Sequence, residues 1–222
     1  MDGPTILLAA LFAAVGYAFG SIPVGVLVAR AIGGPDPRTV GSGRTGATNA
    51  LRALGPRGAG LVVLGDLLKG LLPVLAARLV SGGEPWVEVA AATGALVGSA
   101  RSVFLAFGGG RGVVTLAGTM LVILPVAVLV AAVVHVAVLL AFRYMSLASL
   151  LSSGSVLPTT VLVALLGPGG LPVAYVLYGL VGPAIVWIAH ADNIDRLRHG
   201  TERKFDFAML AGTSGSDEAD RG

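Results

Sequence analysis

Apolar residues in this chain gather into long blocks of about 20 or more, separated by polar stretches rather than alternating with them. About 20 such residues, at 1.5 Å rise each, cross the hydrocarbon core of a bilayer as a helix. The blocks centre on residues 6–29, 59–80, 86–106, 113–141, 148–167 and 171–189. The fourth is too long for one crossing and contains Pro125, which removes a helix hydrogen bond. No basic residue precedes the first block, the wrong flank for a cleaved secretory signal, so it is expected to remain as a span.

The basic residues decide how often the fourth block crosses. Arg30, Arg38, Arg44, Arg52 and Arg57 follow the first block, Arg111 precedes the fourth and Arg143 follows it, and Arg196, Arg198, Arg203 and Lys204 follow the last. Loop cations face the cytoplasm, so residues 113–141 are expected to cross twice, as two short helices turning near Leu124-Pro125. The expectation is an all-α polytopic membrane protein with seven transmembrane helices, its N-terminus outside and its C-terminus cytoplasmic. The outer loops, 81–85 and 167–170, are short and carry no cation. Arg78, near the outer end of the second span, is expected to snorkel to the interface. Residues 1–210 form a single membrane-embedded domain, and the small, polar stretch 211–222 is expected to be a disordered tail.

Composition supports this setting. Of 222 residues, 55% are hydrophobic and only 12% charged, too apolar for a soluble domain of this length. Cysteine is absent, so there is no disulfide framework or thiol site, and three histidines are few for a metal cluster. No metal and no cofactor are expected.

The topology brings the polar segments to one face: loop 31–57, the turn 107–112, the segment 143–149 and the tail from His190. Gly41-x-Gly43-x-x-Gly46 matches a dinucleotide fingerprint, but that pattern has meaning only between a strand and a helix. Here a membrane helix and Pro35-Asp36-Pro37 precede it. The turn at Gly108 to Thr115 lacks the spacing and the ending of a Walker loop. What remains is physics common to both: glycines let backbone N–H groups approach an anion, and helix N-termini add partial positive charge. Ser42, Thr45, Thr48, Asn49 and Arg52 around those glycines favour an anion cradle. Gly16, Gly20, Gly94 and Gly118, inside spans, are read as close helix packing. Asp66 and Lys69 share a helical face within apolar 61–75, either as functional charges or as a self-neutralising pair. His135 is read as a structural bundle residue. His190 shares a face with Asn193, with Arg196 close by, where the last span leaves the membrane.

These residues resemble a known family, the bacterial acyl-phosphate:glycerol-3-phosphate acyltransferases. Its first motif, Ser-Gly-Asn-x-Gly-Ala-Thr-Asn, is similar to Ser42 through Asn49; its second, ending Phe-Lys-Gly-Gly-Lys-Gly-Val-Ala-Thr, resembles Phe107 through Thr115. The third, His-x-x-Asn-Ile-x-Arg-Leu-x-x-Gly-Thr-Glu, is matched in full from His190 to Glu202. Gly20-Ser21-Ile22-Pro23, Asp66 through Gly70 and Arg143 through Leu147 also look like family features. The family generally has His, Asn, Lys and Lys where Ser99, Arg44, Gly108 and Arg111 stand.

The resemblance implies transfer of a fatty acyl group from acyl phosphate to the 1-hydroxyl of sn-glycerol 3-phosphate. The products would be lysophosphatidate and phosphate, in the first acylation step of phospholipid biosynthesis. It implies catalytic roles for His190, Asn193, Arg111 and Ser42. It implies substrate contacts from Ser42, Arg44, Thr48, Asn49, Arg52, Gly109, Gly110, Arg111, Gly112, Ser146, His190 and Asn193. The setting would be the bacterial cytoplasmic membrane, with membrane lipids around the chain, no nucleic acid and no obligatory protein partner. An acyl phosphate is already activated, so direct attack without an acyl-enzyme is expected, the proton passing to His190 or to a substrate phosphate oxygen. A phosphorylated-solute transporter and a catalytically weakened membrane scaffold are the alternatives, the first disfavoured by polar groups held at one face and by the absence of a repeat.

Overall fold

In the computed structural model, which describes residues 1–211, ten α-helices are joined by short loops and single turns of 3-10 helix. The tail expected over 211–222 falls, apart from Ala211, outside the described residues. α1 (Gly3–Gly20) is capped by Asp2, whose side chain accepts from the Thr5 N–H. The first apolar block is interrupted at Ser21–Pro23 and resumes as α2 (Val24–Ala31). α3 (Ala47–Ser81) starts well before the expected span and kinks at Gly55, whose φ of 69° is the left-handed value that the residue before Pro56 adopts here.

α4 (Pro85–Ala100) stops short of residue 106. The chain beyond it folds back on itself, with the Ser102 N–H donating to the Gly108 carbonyl and the Phe107 N–H to the Ser102 carbonyl. The fourth block divides as the proline requires, into α5 (Val113–Ile123) and α6 (Pro125–Phe142), with Leu124 non-helical between them. The fifth is α7 (Met145–Gly154) continued by α8 (Val156–Leu166), and the last is α9 (Val173–Ala189). A bend of 67° then separates α9 from α10 (Ala191–Arg198). Four helical stretches, Gly3–Ala31, Ala47–Ser81, Pro125–Phe142 and Met145–Leu166, are long and apolar enough to cross a membrane, and the bent pair α9–α10 makes a fifth candidate. α4 and α5, of 16 and 11 residues, are shorter.

Lipid supplies no hydrophobic drive between helices, so close contact must come from small residues. α1 and α4 meet through Gly16 and Gly20 on one and Gly94 and Gly98 on the other. A Cβ at Gly20 would collide with the Ala95 carbonyl, and one at Gly94 with the Ala13 carbonyl. Gly118 of α5 approaches the Leu67 carbonyl of α3 in the same way. α4 is the central helix: Val87, Ala91, Leu96 and their neighbours pack with Val74, Leu116, Tyr178 and Val186 from α3, α5 and α9. Leu79, Leu129, Val133, Leu165 and Ile188 point outward, as a lipid-facing surface requires.

Arg78 does not snorkel alone. Its guanidinium donates from Nε and Nη2 to the two oxygens of fully buried Glu88, at 2.9 and 2.7 Å, and the Tyr175 hydroxyl donates to Glu88 Oε2 at 2.9 Å. The snorkelling expectation named no partner, because Glu88 lies four residues into the next helix, on the face turned toward α3. This clamp ties α3, α4 and α9. Removing one member leaves a buried charge, so Arg78→Ala is expected to destabilise by about 3–5 kcal/mol. The Arg78→Met, Glu88→Leu double variant should recover most of that loss, as read by thermal unfolding in detergent.

Candidate functional site

The polar segments meet in a cleft of about 200 Å³. Its first wall is the loop before α3. Gly41 and Gly43 take φ values of 60° and 68°, open to glycine without strain, and Gly46 leads into α3. Asn49 organises this loop from the first turn of the helix. Its Nδ2 donates to the Arg44 carbonyl (2.9 Å) and to Ser42 Oγ (3.2 Å), while its Oδ1 accepts from Arg52 Nη1 at 2.9 Å. Asn49 therefore lines the cleft with its amide engaged by protein, and the residues it orients, Ser42, Arg44 and Arg52, face the open space. The N-terminus of α3 adds Ala47 and Thr48 to the same wall, where the helix dipole favours an anion.

The glycine turn forms the second wall. Gly110 donates its N–H to the Ser99 carbonyl at 2.9 Å, and Gly112, at φ 76°, starts α5. Gly110, Arg111 and Gly112 line the cleft. Gly109 does not: a Cβ there would meet the Ser99 and Ala100 carbonyls, so its role is to let the turn pack on the end of α4. Arg111 donates from Nη2 to Asp192 at 2.8 Å and reaches Ser42 Oγ at 3.4 Å.

The bend between α9 and α10 brings His190 and Asn193 inward. His190 Nδ1 lies 2.8 Å from the Val186 carbonyl, an acceptor only, so Nδ1 carries the proton and Nε2 keeps its lone pair. Burial, with the charges of Arg111 and Arg44 acting in the same direction against the Val186 bond, pushes the imidazole down to about 4. Glu202 joins this wall to α7. Its Oε1 accepts from Ser146 Oγ (2.8 Å) and Asn193 Nδ2 (2.7 Å), and its Oε2 from Arg196 Nε (2.7 Å). Burial alone would raise this carboxyl, but the bonds from Ser146, Arg196 and Asn193 outweigh it and hold it below its usual range.

Eleven of the twelve expected contact residues thus share one cleft, and Gly109 lies behind it. Sequence reasoning missed Asp192 and Glu202, the acceptors of Arg111, Arg196, Ser146 and Asn193. It also missed Ser149, Thr115, Arg203 and Phe205 in the lining. The available signal was a buried-cation argument: arginines beside a bilayer need carboxylates, and both acids lie within the His190 to Glu202 motif. Buried Arg111 Nε and Asn193 Oδ1 have no partner among the described residues, which is rare for buried polar atoms and suits a site that receives a polar ligand. Asp66 also lines the cleft, paired with Lys69 at 2.7 Å.

A second, apolar space of about 340 Å³ lies between α3, α5, α6 and the α7–α8 junction. Val113 and Val114 border both spaces, so groove and cleft adjoin. His135 faces the groove and pairs with Ser152 Oγ at 3.2 Å, linking α6 to α7 as a bundle residue.

Comparisons with known proteins agree on one family. The glycerol-3-phosphate acyltransferase family model matches residues 10–200. The glycerol-3-phosphate acyltransferase of Rubrobacter xylanophilus is 45% identical over 199 residues, spanning 90% of this chain and 96% of its own. That of Geotalea daltonii is 44% identical over 191 residues, 85% of this chain and 93% of its own. The crystal structure of PlsY (YgiH), an integral membrane glycerol 3-phosphate acyltransferase, in its glycerol 3-phosphate form has a TM-score of 0.81 at 33% identity. That match covers 91% of this chain and 98% of the other. The lysophosphatidic acid form gives 0.79 at 32% identity, covering 95% and 100%.

The state of His190 is directly measurable. An unfolded histidine protonates at an ordinary value of 6.5 and the folded one only near 4, so the stability linked to it is full above 6.5 and falls as pH drops toward 4. Nitrogen NMR of labelled protein, assigned with His190→Gln, should show a neutral Nδ1–H tautomer down to pH 5. A ring titrating between 6 and 7 would contradict this environment.

Proposed function

The chain belongs to the glycerol-3-phosphate acyltransferase family, a family of membrane acyltransferases in phospholipid synthesis, and on that premise we propose how its cleft and groove divide the reaction. The donor is acyl phosphate and the acceptor is glycerol 3-phosphate. The observation that carries this reading is the junction at Val113 and Val114, where a space rich in arginine and hydroxyl groups opens onto an apolar one. Both substrates bear phosphate, which suits guanidinium, hydroxyl and backbone N–H donors. The acyl chain needs an apolar path that reaches the reacting carbon.

In this reading Arg44, Arg52 and Arg111, with Ser42, Thr48 and the amides of the Gly110–Gly112 turn, receive phosphate oxygens. Ser146 and Asn193, held in place by Glu202, contact the glycerol moiety, and neutral His190 offers Nε2 as an acceptor for a hydroxyl. The 1-hydroxyl oxygen attacks the acyl carbon directly. An ester C–O bond forms, the bond from acyl carbon to phosphate oxygen breaks, phosphate leaves with the electron pair, and the hydroxyl proton passes to His190 Nε2 or to a substrate phosphate oxygen. Arginines around the leaving group stabilise its charge without a covalent nucleophile.

Placement follows the same logic. Residues 1–210 act as one domain of the bacterial cytoplasmic membrane, crossing seven times, with α5 and α6 as two of the crossings and the cleft on the cytoplasmic side. The absence of cysteine makes this directly testable. Single cysteines at Gly83 and Gly169 should react with an impermeant maleimide in intact cells. One at His199 should react only after lysis.

The assay is formation of lysophosphatidate by purified protein in lipid, with acyl phosphate compared against acyl-CoA. Arg52→Ala and Asn193→Ala are each expected to lower kcat/KM on the order of 100-fold, the scale of one charged or oriented transition-state contact. Acyl-CoA used as well as acyl phosphate would overturn the donor assignment, and an acylated serine trapped in single turnover would overturn direct attack.

A further inference from the structure

Five arginines line the cleft, and acids of the chain engage only two of them directly. Arg111 and Arg196 share Asp192, and Arg196 also holds Glu202. Arg52 donates to the neutral amide of Asn49. The guanidiniums of Arg44 and Arg203 make no ion pair and no hydrogen bond among the described residues. Arg44 lies in the loop already read as an anion cradle; Arg203 belongs to no part of that reading.

The charges sort into two groups. Those of Arg44 and Arg196 act on Arg111, and those of Arg111 and Arg44 act on His190. Those of Arg203 and Glu202 act on Arg52 instead. Arg52 and Arg203 therefore stand together on the side of the cleft where Glu202 holds Ser146 and Asn193. Both Glu202 oxygens are already taken by Ser146, Asn193 and Arg196, so no acid bonds directly to either of these guanidiniums. Like charges facing one space repel unless an anion lies between them, and a phosphate dianion has oxygens for both. The chain around Arg203 is also anchored. Glu202 before it is fixed by its three donors, and Phe205, 2% exposed, donates its N–H to the Arg143 carbonyl. Arg203 itself is exposed yet lines the cleft, which puts it at the mouth, where a water-soluble phosphate ester enters. An acyl phosphate with its chain in the groove brings its phosphate to the junction at Val113 and Val114, and Arg203 does not line that groove.

We infer that Arg203 is a binding residue for the acceptor substrate, holding the phosphate of glycerol 3-phosphate together with Arg52; this rests on the acyl-transfer reading above. Arg203 sets how tightly the acceptor is held and takes no part in the bond exchange at the acyl carbon. The phosphate end of the acceptor then lies at the mouth, and its glycerol end points inward to Ser146 and Asn193.

The test uses the full chain in lipid nanodiscs, with lysophosphatidate formation as one readout and calorimetric binding of glycerol 3-phosphate as the other. Arg203→Ala should weaken glycerol 3-phosphate about tenfold in both KM and Kd, the scale of one charge-assisted contact open to water. The kcat at saturation and the KM for acyl phosphate should each change less than about threefold. Arg203→Lys keeps a cation that binds phosphate and should stay within about threefold of wild type, whereas Arg203→Glu should be weaker than Arg203→Ala by about tenfold more. Lys204→Glu makes the same charge change at the next residue, outside the lining, and should leave these constants within about threefold. Equal losses for Arg203→Glu and Lys204→Glu would reduce the effect to a general field and overturn the inference. So would Arg203→Ala within about threefold of wild type for glycerol 3-phosphate, or a loss that falls on acyl phosphate instead. In each of those cases the wild-type chain still forms lysophosphatidate and the acyl-transfer reading stands. A wild-type chain that forms none from any acyl donor removes that reading, and the inference with it.

Discussion

The hydrogen bonds to the Glu202 carboxylate join the segments on which the rest of the cleft depends. Ser146 reaches it from the start of α7, Asn193 and Arg196 reach it from α10, and Glu202 itself lies on the strand of chain leaving α10. Three donors converge on two oxygens, which is why a partly buried acid stays ionised there. The chain beyond it is pinned as well. The Phe205 N–H donates to the Arg143 carbonyl, the Arg143 guanidinium donates back to the Phe205 carbonyl, and the same guanidinium lies over the Phe207 ring. The bend after α9 is thereby held, and with it the inward placement of His190 and Asn193.

The bilayer explains why the polar groups are arranged this way. A charge in or near hydrocarbon must be paired or reach water. Arg78 and Glu88 solve this by a bidentate pair at the end of α3 remote from the cleft, sealed further by Tyr175. Asp66 and Lys69 solve it within α3, next to the cleft. Arg111 and Arg196 share Asp192. The first pair has both carboxylate oxygens engaged by protein and serves to join helices. The pairs around the cleft leave individual oxygens and N–H groups unengaged, and those are the atoms a substrate can use.

The apolar blocks made the helices legible, and Pro125 made the break between α5 and α6 legible, because both depend on local physics. The ends were harder. α3 continues to Ala47 and α4 stops at Ala100 because glycines and loop hydrogen bonds, rather than hydropathy, set their limits. The four polar segments that motif spacing singled out line one cleft, since polar segments at helix ends on one face have little choice but to meet. Motif spacing could not separate Gly109, which serves packing, from Gly110 and Gly112 in the lining, because that distinction lies in which side of the turn faces α4. Nor could it name Asp192 and Glu202 as partners, since a pairing between α10 and α5 or α7 is a tertiary fact. The pairing of Arg78 with Glu88 is a fact of the same kind.

The departures from the family pattern look different once located. Gly108, where the resemblance expects Lys, is absent from the cleft lining and accepts from the Ser102 N–H at the base of the turn. Ser99, where the family generally has His, does line the cleft, and its hydroxyl accepts from Thr115 Oγ1 at 3.0 Å. That exchange trades a titratable ring for a small neutral donor and acceptor. Arg44, where Asn is expected, adds a cation to the same wall, within reach of the field at Arg111 and His190. The lining has therefore gained a guanidinium at Arg44 and lost an imidazole at Ser99, a change that favours binding of phosphate over handling of protons.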